Sequence, residues 1–208
     1  MVDECATSGK RAFDFLLAAT GLLLSFPLWV VVAFLIKLED GGPVFYAQER
    51  VGRGGRRFQS LKFRTMIPDA DKRYGRLQAA EDDPRVTRIG RFLRVTALDE
   101  LPQLWNIAKG EMSFVGPRAL APGEIELRGQ GSYVPLEAIT GYAERHRVRP
   151  GLTGVAQVYA PRDLPRRQKF RYDRLYIAHR NFWLDLQLIL MSFGISLKGR
   201  WESRSRKL

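Results

Sequence analysis

The residues with the clearest chemical potential stand in Arg94-Val-Thr-Ala-Leu-Asp99-Glu100-Leu-Pro102-Gln103. Two adjacent carboxylates can divide labour. An ionised carboxylate attacks phosphorus, and its neighbour is a natural Mg²⁺ ligand, because that ion takes one or two protein carboxylates together with phosphate oxygens and water. The same stretch has a purely structural reading. Thr96 and Asp99 carry the spacing of a capping box, and Pro102 suits the first turn of a helix, where a missing N–H is harmless. Asp99 and Glu100 are then first-turn acids that favour the helix dipole and stay ionised at neutral pH. Spacing alone leaves both readings open.

Around this pair the chain is rich in bases and glycines. Lys62-Phe-Arg64 precedes it; Ser113-Phe-Val-Gly116-Pro117-Arg118 and Arg149-Pro150-Gly151-Leu-Thr153-Gly154 follow it. Glycine lets a backbone approach phosphate closely and arginine grips phosphate oxygens in pairs. Each loop alone is ordinary; with the acids they outline a place for a pyrophosphate and a metal. Other chemistries are excluded by composition. The single cysteine, Cys5, permits no intrachain disulfide and no cysteine-based zinc site, and His146 and His179 are too few for a histidine cage.

These residues need a scaffold. At 208 residues the chain has room for one compact domain and a short extra segment, and 45% hydrophobic with 27% charged residues is a foldable composition rather than a disordered or collagen-like one. Lys+Arg 34 against Asp+Glu 22 gives a net charge of +12, suited to anionic partners. Phe15 to Ile36 is a run of 22 uncharged residues. As a helix it is about 33 Å long, enough to cross a hydrocarbon core of about 30 Å. The run exceeds a signal-peptide core and lacks a small-residue cleavage site before Lys37. Its all-round apolarity argues against a globular core helix. A plain spanning helix would leave the basic body in the cytoplasm. Ser25-Phe26-Pro27 falls near the middle, and proline bends a helix by deleting a backbone hydrogen bond, which a serine hydroxyl can offset. A break there permits a re-entrant helix with both ends on one side.

Beyond it, the pattern predicts strands over Val44–Gln48 and Phe58–Phe63 joined by a Gly52–Gly55 turn, and a polar loop with a short helix over Pro68–Pro84. Helix is predicted in part of Arg91–Ala108, ending at Gly110, then over Arg166–Arg180 and Phe182–Leu197. The last of these packs on the core or lies on a bilayer, with Lys198, Arg200, Arg204, Arg206 and Lys207 meeting headgroups. The fold class is α+β: an N-terminal membrane segment, residues 1–37, on a small mixed catalytic domain, residues 38–208.

The chain resembles the bacterial sugar transferases, the monotopic polyprenyl-phosphate phosphoglycosyl transferases. The resemblance runs through Lys10-Arg11-Ala-Phe13-Asp14, the apolar segment with Pro27, Gly42-Pro43-Val44-Phe45, Gln48-x-Arg50-x-Gly52 and Lys62-Phe63-Arg64-Thr65-Met66. It is closest at Leu98-Asp99-Glu100-Leu101-Pro102-Gln103-Leu104, Gly110-Glu-Met-Ser-Phe-Val-Gly-Pro-Arg118 and Val148-Arg-Pro-Gly-Leu-Thr-Gly154, and continues to Ala156-Gln157 and Asp173-x-x-Tyr176. It implies a minimal catalytic form at the cytoplasmic face of the bacterial inner membrane. The implied reaction moves a sugar-1-phosphate from a UDP-sugar to undecaprenyl phosphate, releasing UMP, with Mg²⁺ as cofactor. Asp99 is the implied nucleophile, forming a covalent phosphosugar, and Glu100 helps hold the metal. Lys62, Arg64, Arg94, Arg118, Arg149, Gly151, Thr153, Gln157 and Asp173 are the implied substrate-binding residues. The membrane segment would be re-entrant, broken at Ser25 and Pro27, with both ends cytoplasmic.

Three positions depart from the family: Phe26 replaces the serine before the proline, Ala97 replaces a serine before the nucleophile, and Tyr159-Ala160-Pro161-Arg162 replaces an Asn-Gly-Arg-type stretch. The last leaves the sugar open. A membrane-tethered nucleic-acid-binding or structural domain would rest on net charge alone and leave Asp99-Glu100 unexplained. No nucleic acid is therefore expected as a partner. The bilayer is one, and the sequence does not decide between a monomer and a homodimer.

Overall fold

The computed structural model describes residues 4–70, 83–128, 132–161, 164–199 and 201. Most of the expected Pro68–Pro84 loop, Arg162 and the basic tail at 200 and 202–208 lie outside the described residues.

The chain opens with helix α1, Glu4–Asp40, which contains Pro27 and runs three residues past the expected boundary. Most of this apolar helix is exposed, which sets aside its reading as a core helix. Its two ends are tied to the body. At one end Lys10 pairs with Asp185 at 2.5 Å, the Arg11 guanidinium donates to Ile107 O and Ala108 O, and Asp14 accepts from Phe114 N–H. At the other, Asp40 holds the Arg64 guanidinium and Glu39 accepts from Arg88 N–H. Between them Leu23, Leu24 and Phe26 are exposed. Ser25 Oγ bonds back to Leu22 O at 3.5 Å, so the carbonyl of Leu23, four before Pro27, is not the one it caps.

Strands β1, Phe45–Val51, and β2, Arg57–Phe63, form an antiparallel hairpin with Tyr46 opposite Lys62 and Arg50 opposite Phe58. The intervening turn is Arg53–Gly55, as the glycines predict. Val32 and Ile36 of α1 pack with Phe63 and Leu93, and Trp29 meets the Phe45 and Phe63 rings. Helix α2, Arg88–Thr96, is capped by Thr87, whose side chain accepts from Gly90 N–H. A single turn, Leu98–Glu100, leads into α3, Gln103–Lys109, closed by Gly110 in the left-handed conformation.

The expected capping box does not form. Thr96 is the last residue of α2, and its hydroxyl donates back to Phe92 O and Leu93 O. Ala97, with φ 57°, makes the turn instead. The spacing was satisfied by the end of one helix rather than the start of the next. Pro102 does stand at the head of α3.

Two small sheets complete the body. Strand β3, Ser113–Val115, pairs in parallel with β6, Gly151–Thr153; β4, Ile125–Arg128, pairs antiparallel with β5, Ser132–Pro135. Helices α4, Tyr142–Arg145, and α5, Val155–Tyr159, flank β6. The chain closes with α6, Arg166–His179, and α7, Phe182–Leu197, the latter capped by the Asn181 side chain. Helix α7 packs on the core with one face and leaves apolar side chains exposed on the rest. Leu188 and Ile195 enter the core that holds Ala18, Leu104, Ile107 and Val115, while Phe182, Trp183, Leu190, Phe193 and Leu197 stay exposed. The architecture is α+β.

Candidate active site

Asp99 and Glu100 sit in the single turn between α2 and α3. The left-handed Ala97 that ends α2 forces this turn. A side chain with a Cβ pays roughly 1–2 kcal/mol for that conformation, so a strained backbone position lies two residues before the candidate nucleophile. Asp99 is 8% exposed.

The hairpin supplies the first cation. Lys62 of β2 reaches Asp99 Oδ2 at 3.7 Å and makes a short contact with Glu100 Oε1. Its position is set by Asn106, buried in α3. The Asn106 Oδ1 accepts from Leu61 N–H at 3.0 Å and its Nδ2 donates to Gln59 O and Glu111 Oε2 at 2.7 Å. One side-chain amide thus extends the strand's hydrogen bonding onto the helix that follows the two acids. Arg118 brings its Nη2 within 3.9 Å of Glu100 Oε1 and leaves half its side chain exposed.

The acids respond differently to this setting. Burial pushes Asp99 up to about 6; Lys62, Arg94 and Arg118 oppose the shift, while Glu100 adds to it. Burial acts to raise Glu100 as well, but Lys62, Arg118 and Arg50 outweigh it and hold that carboxyl below its ordinary range. Asp99 therefore remains mainly ionised at neutral pH by a narrower margin than a helix-end carboxylate would have. Arg94 faces it electrostatically, with burial pulling the guanidinium below its ordinary value and Asp99 resisting that pull.

Not every expected residue reaches this centre. Arg64 is buried against α1, donating to Pro43 O, Met66 O and Asp40. Thr153 bonds Ser192 of α7, and the Gln157 amide donates to Gly116 O. Asp173 is buried in α6, where it accepts from Arg145 Nε at 3.0 Å. Arg145 donates in turn to Arg118 O at 2.6 Å, so Asp173 acts on the site through the backbone that carries Arg118. Gly151 does the same: its N–H donates to Pro117 O, and it bridges to Arg118. Arg149 donates to Gly110 O, at the far end of α3.

The glycines also differ from their expected use. A Cβ on Gly151 would lie 2.0 Å from Gly116 N, and one on Gly154 would lie 2.3 Å from Gly116 O. The space that glycine frees is filled by protein backbone, not left for phosphate.

Arg50 was missed as a site residue. It is half-buried in β1, donates to Ala119 O at 3.3 Å and to Gln48, and responds electrostatically to Arg118 and Glu100. Burial pulls it to about 10. Its signal was present: Gln48 and Arg50 alternate on the hairpin face that carries Lys62.

Among the described residues no three or more His, Cys, Asp or Glu side chains gather as a metal cage. Two adjacent carboxylates still suit an ion that shares its shell with substrate phosphates and water.

Residues 5–199 match the bacterial sugar transferase family. The chain belongs to the bacterial sugar transferase family. It is 43% identical over 190 residues to the undecaprenyl-phosphate glucose phosphotransferase of Komagataeibacter xylinus, covering 88% of this chain and 35% of that protein. It is 38% identical over 194 residues to the exopolysaccharide production protein ExoY of Rhizobium meliloti, covering 86% and 81%. A third relative is the UDP-N-acetylgalactosamine-undecaprenyl-phosphate N-acetylgalactosaminephosphotransferase of Aeromonas hydrophila, 39% identical over 195 residues, covering 91% and 44%. The chain thus spans less than half the length of two of these three relatives and most of the other. Helix α1 is long and apolar enough to cross a membrane.

Proposed function

We propose that this chain is a phosphoglycosyl transferase that moves a sugar-1-phosphate from a UDP-sugar to undecaprenyl phosphate and releases UMP. The observation that carries the proposal is the Asp99-Glu100 pair, Asp99 buried and Glu100 partly so, met by Lys62, Arg94 and Arg118.

The donor pyrophosphate is drawn by the surplus of cations over the two acids. An Asp99 oxygen attacks the phosphorus that bears the sugar, forming an aspartyl–phosphorus bond and breaking the bond from that phosphorus to the oxygen of UMP. UMP leaves. A phosphate oxygen of the lipid acceptor then attacks the same phosphorus, the aspartyl bond breaks, and Asp99 is restored. The two bulky anions need not occupy the site together. Arg118, half exposed, is placed to meet the donor phosphates, and Lys62 keeps Asp99 ionised against its burial. Mg²⁺, held by Glu100 and Asp99, would supply charge neutralisation on the phosphate oxygens.

The membrane reading rests on the helix ends and the aromatic surface. Both ends of α1 are tied to one body while Leu23 to Phe26 project from it, as a re-entrant helix entering and leaving on the cytoplasmic face would require. Phe92 and Trp105, on the helices flanking the Asp99 turn, are exposed together with Trp183 and Phe193 of α7. Such aromatics suit the headgroup level of a bilayer, where a lipid phosphate and a soluble nucleotide can meet. The relatives' names carry glucose and N-acetylgalactosamine at similar identity, so the sugar is left open.

The test is UMP release by the purified chain with undecaprenyl phosphate, Mg²⁺ and a panel of UDP-sugars. Release with at least one sugar supports the proposal. Absence with all of them, from a protein shown to be folded, contradicts it.

A further inference from the structure

A second basic site lies at the other end of α3. Ser8, Arg11, Ala12, Phe15, Arg53 and Arg149 line an open cavity of about 530 Å³. Its three guanidiniums come from distant parts of the chain, and those of Arg11 and Arg149 are held by hydrogen bonds. Arg11 donates to Ile107 O and Ala108 O, and Arg149 donates to Gly110 O, so both finish the C-terminal end of α3. Arg53 stands on the hairpin turn, which is clamped by Gly54 N–H donating to His146 O at 2.8 Å. Arg11 and Arg53 both depress Arg149, after burial, as mutually repelling charges do. The acid that acts on Arg149 is Asp14. It is buried, accepts from Phe114 N–H and lies 3.9 Å from Lys10. Three arginines are thus brought together around open volume, and among the described residues that line it there is no carboxylate. Bringing like charges together is unfavourable unless an anion joins them.

The wall opposite the charges gives the ligand's character. Phe15 begins the uncharged run of α1 and lies under the Arg11 guanidinium, 5.7 Å from its ring centroid. Leu16 beside it is exposed. The cavity therefore joins a cationic half to the apolar flank of the membrane helix. From Glu100 to Ala108 the chain rises by about 12 Å at helical spacing, so a phosphate held here is out of reach of Asp99 and is not a reacting group.

We propose that this cavity holds the phosphate headgroup of an anionic membrane phospholipid, seated by Arg11, Arg53 and Arg149 with its hydrocarbon along Phe15. The site would dock the N-terminal end of α1 at the bilayer surface and fix the catalytic turn's height above it. It stands on these residues alone, whatever Asp99 does.

The test is binding rather than turnover. The full chain in non-ionic detergent is titrated with dioctanoyl phosphatidylglycerol, dioctanoyl phosphatidylcholine and inorganic phosphate, followed by calorimetry and native mass spectrometry. Saturable binding of the phosphatidylglycerol is expected. Arg53→Gln, which removes a side chain with no structural bond, should weaken it about tenfold or more, the loss of one charge-assisted contact, with no change in melting temperature. Arg56→Gln, an exposed neighbour outside the cavity, should leave it unchanged. Equal loss in both variants would reduce the effect to net charge and overturn the proposal. So would inorganic phosphate binding as tightly as phosphatidylglycerol, phosphatidylcholine binding equally well, or absence of saturable binding.

Discussion

Asp173 and Asp99 are both buried carboxylates that face arginine or lysine, and they are built in opposite ways. Asp173 has one dominant partner, Arg145; both side chains are nearly inaccessible, and the pair is continued by Arg145 donating to Arg118 O. Asp99 shares Lys62 with a second acid, Glu100, beside an arginine that is half exposed. The first arrangement is closed: its bonds are spoken for within the fold. The second is crowded and open on one side, with Asp99 pushed up to about 6 and Glu100 held low. Separation of two neighbouring carboxyls in this way marks a reactive centre more than a structural one. Burial alone would not have distinguished them.

Five substitutions break or sharpen this contrast. The largest expected effect is Asp99→Asn, which should lower UMP release by at least about 10³-fold by removing the group that acts as nucleophile. It should leave the melting temperature unchanged or slightly higher. The sign follows from the shift: a carboxyl raised in the fold is most favourable when protonated, so its charged form costs stability above pH 6, and a neutral amide removes that cost. Asp173→Ala should invert the pattern. Stranding the Arg145 charge costs roughly 3–5 kcal/mol, a fall of roughly 6–20 °C in a domain of this size, read by thermal denaturation, with activity surviving in the fraction that stays folded.

Lys62→Met should reduce turnover by roughly 10²-fold. It should also move the acid limb of the pH–rate profile upward from about 6, because the cation that keeps Asp99 ionised is gone. Glu100→Gln should move that limb the other way, since Glu100 raises Asp99; residual activity measured between pH 4.5 and 8 separates the two. Limbs that fail to move in opposite directions would undo the electrostatic account. The smallest effect is at Ala97: glycine relieves the left-handed backbone and should change stability by less than about 1 kcal/mol in its favour, measured by urea denaturation.

The long apolar helix, the hairpin, α6 and α7 were legible because each carries its signal locally: an uncharged run, an alternation bounded by glycines, an apolar or amphipathic stretch of helical length. The acid pair was legible from residue type. Its surroundings were not. The Thr96-x-x-Asp99 spacing matched a capping box, but a left-handed alanine, which no propensity favours, let α2 end where the spacing predicted a beginning. Asn106 reads in sequence as an unremarkable polar residue of a helix; its role appears only when β2 lies beside it. Arg64, Arg149, Gly151 and Thr153 have the right types for phosphate recognition and Asp173 was expected as a further site acid, yet side-chain and backbone partners far along the chain fix what each one touches. The short β3–β6 and β4–β5 pairs were not foreseen, since segments of three or four residues are too brief for a period to register.

The central claim is that Asp99 carries the phosphosugar between donor and acceptor. Its most direct test is intact-protein mass spectrometry of the chain incubated with a turned-over UDP-sugar and Mg²⁺, without lipid acceptor. A mass increase of one sugar phosphate, located on Asp99 by peptide mapping, absent from Asp99→Asn and discharged on adding undecaprenyl phosphate, is predicted. Turnover on adding the lipid, with no adduct at any time before it, would contradict the account and assign a one-step transfer in its place.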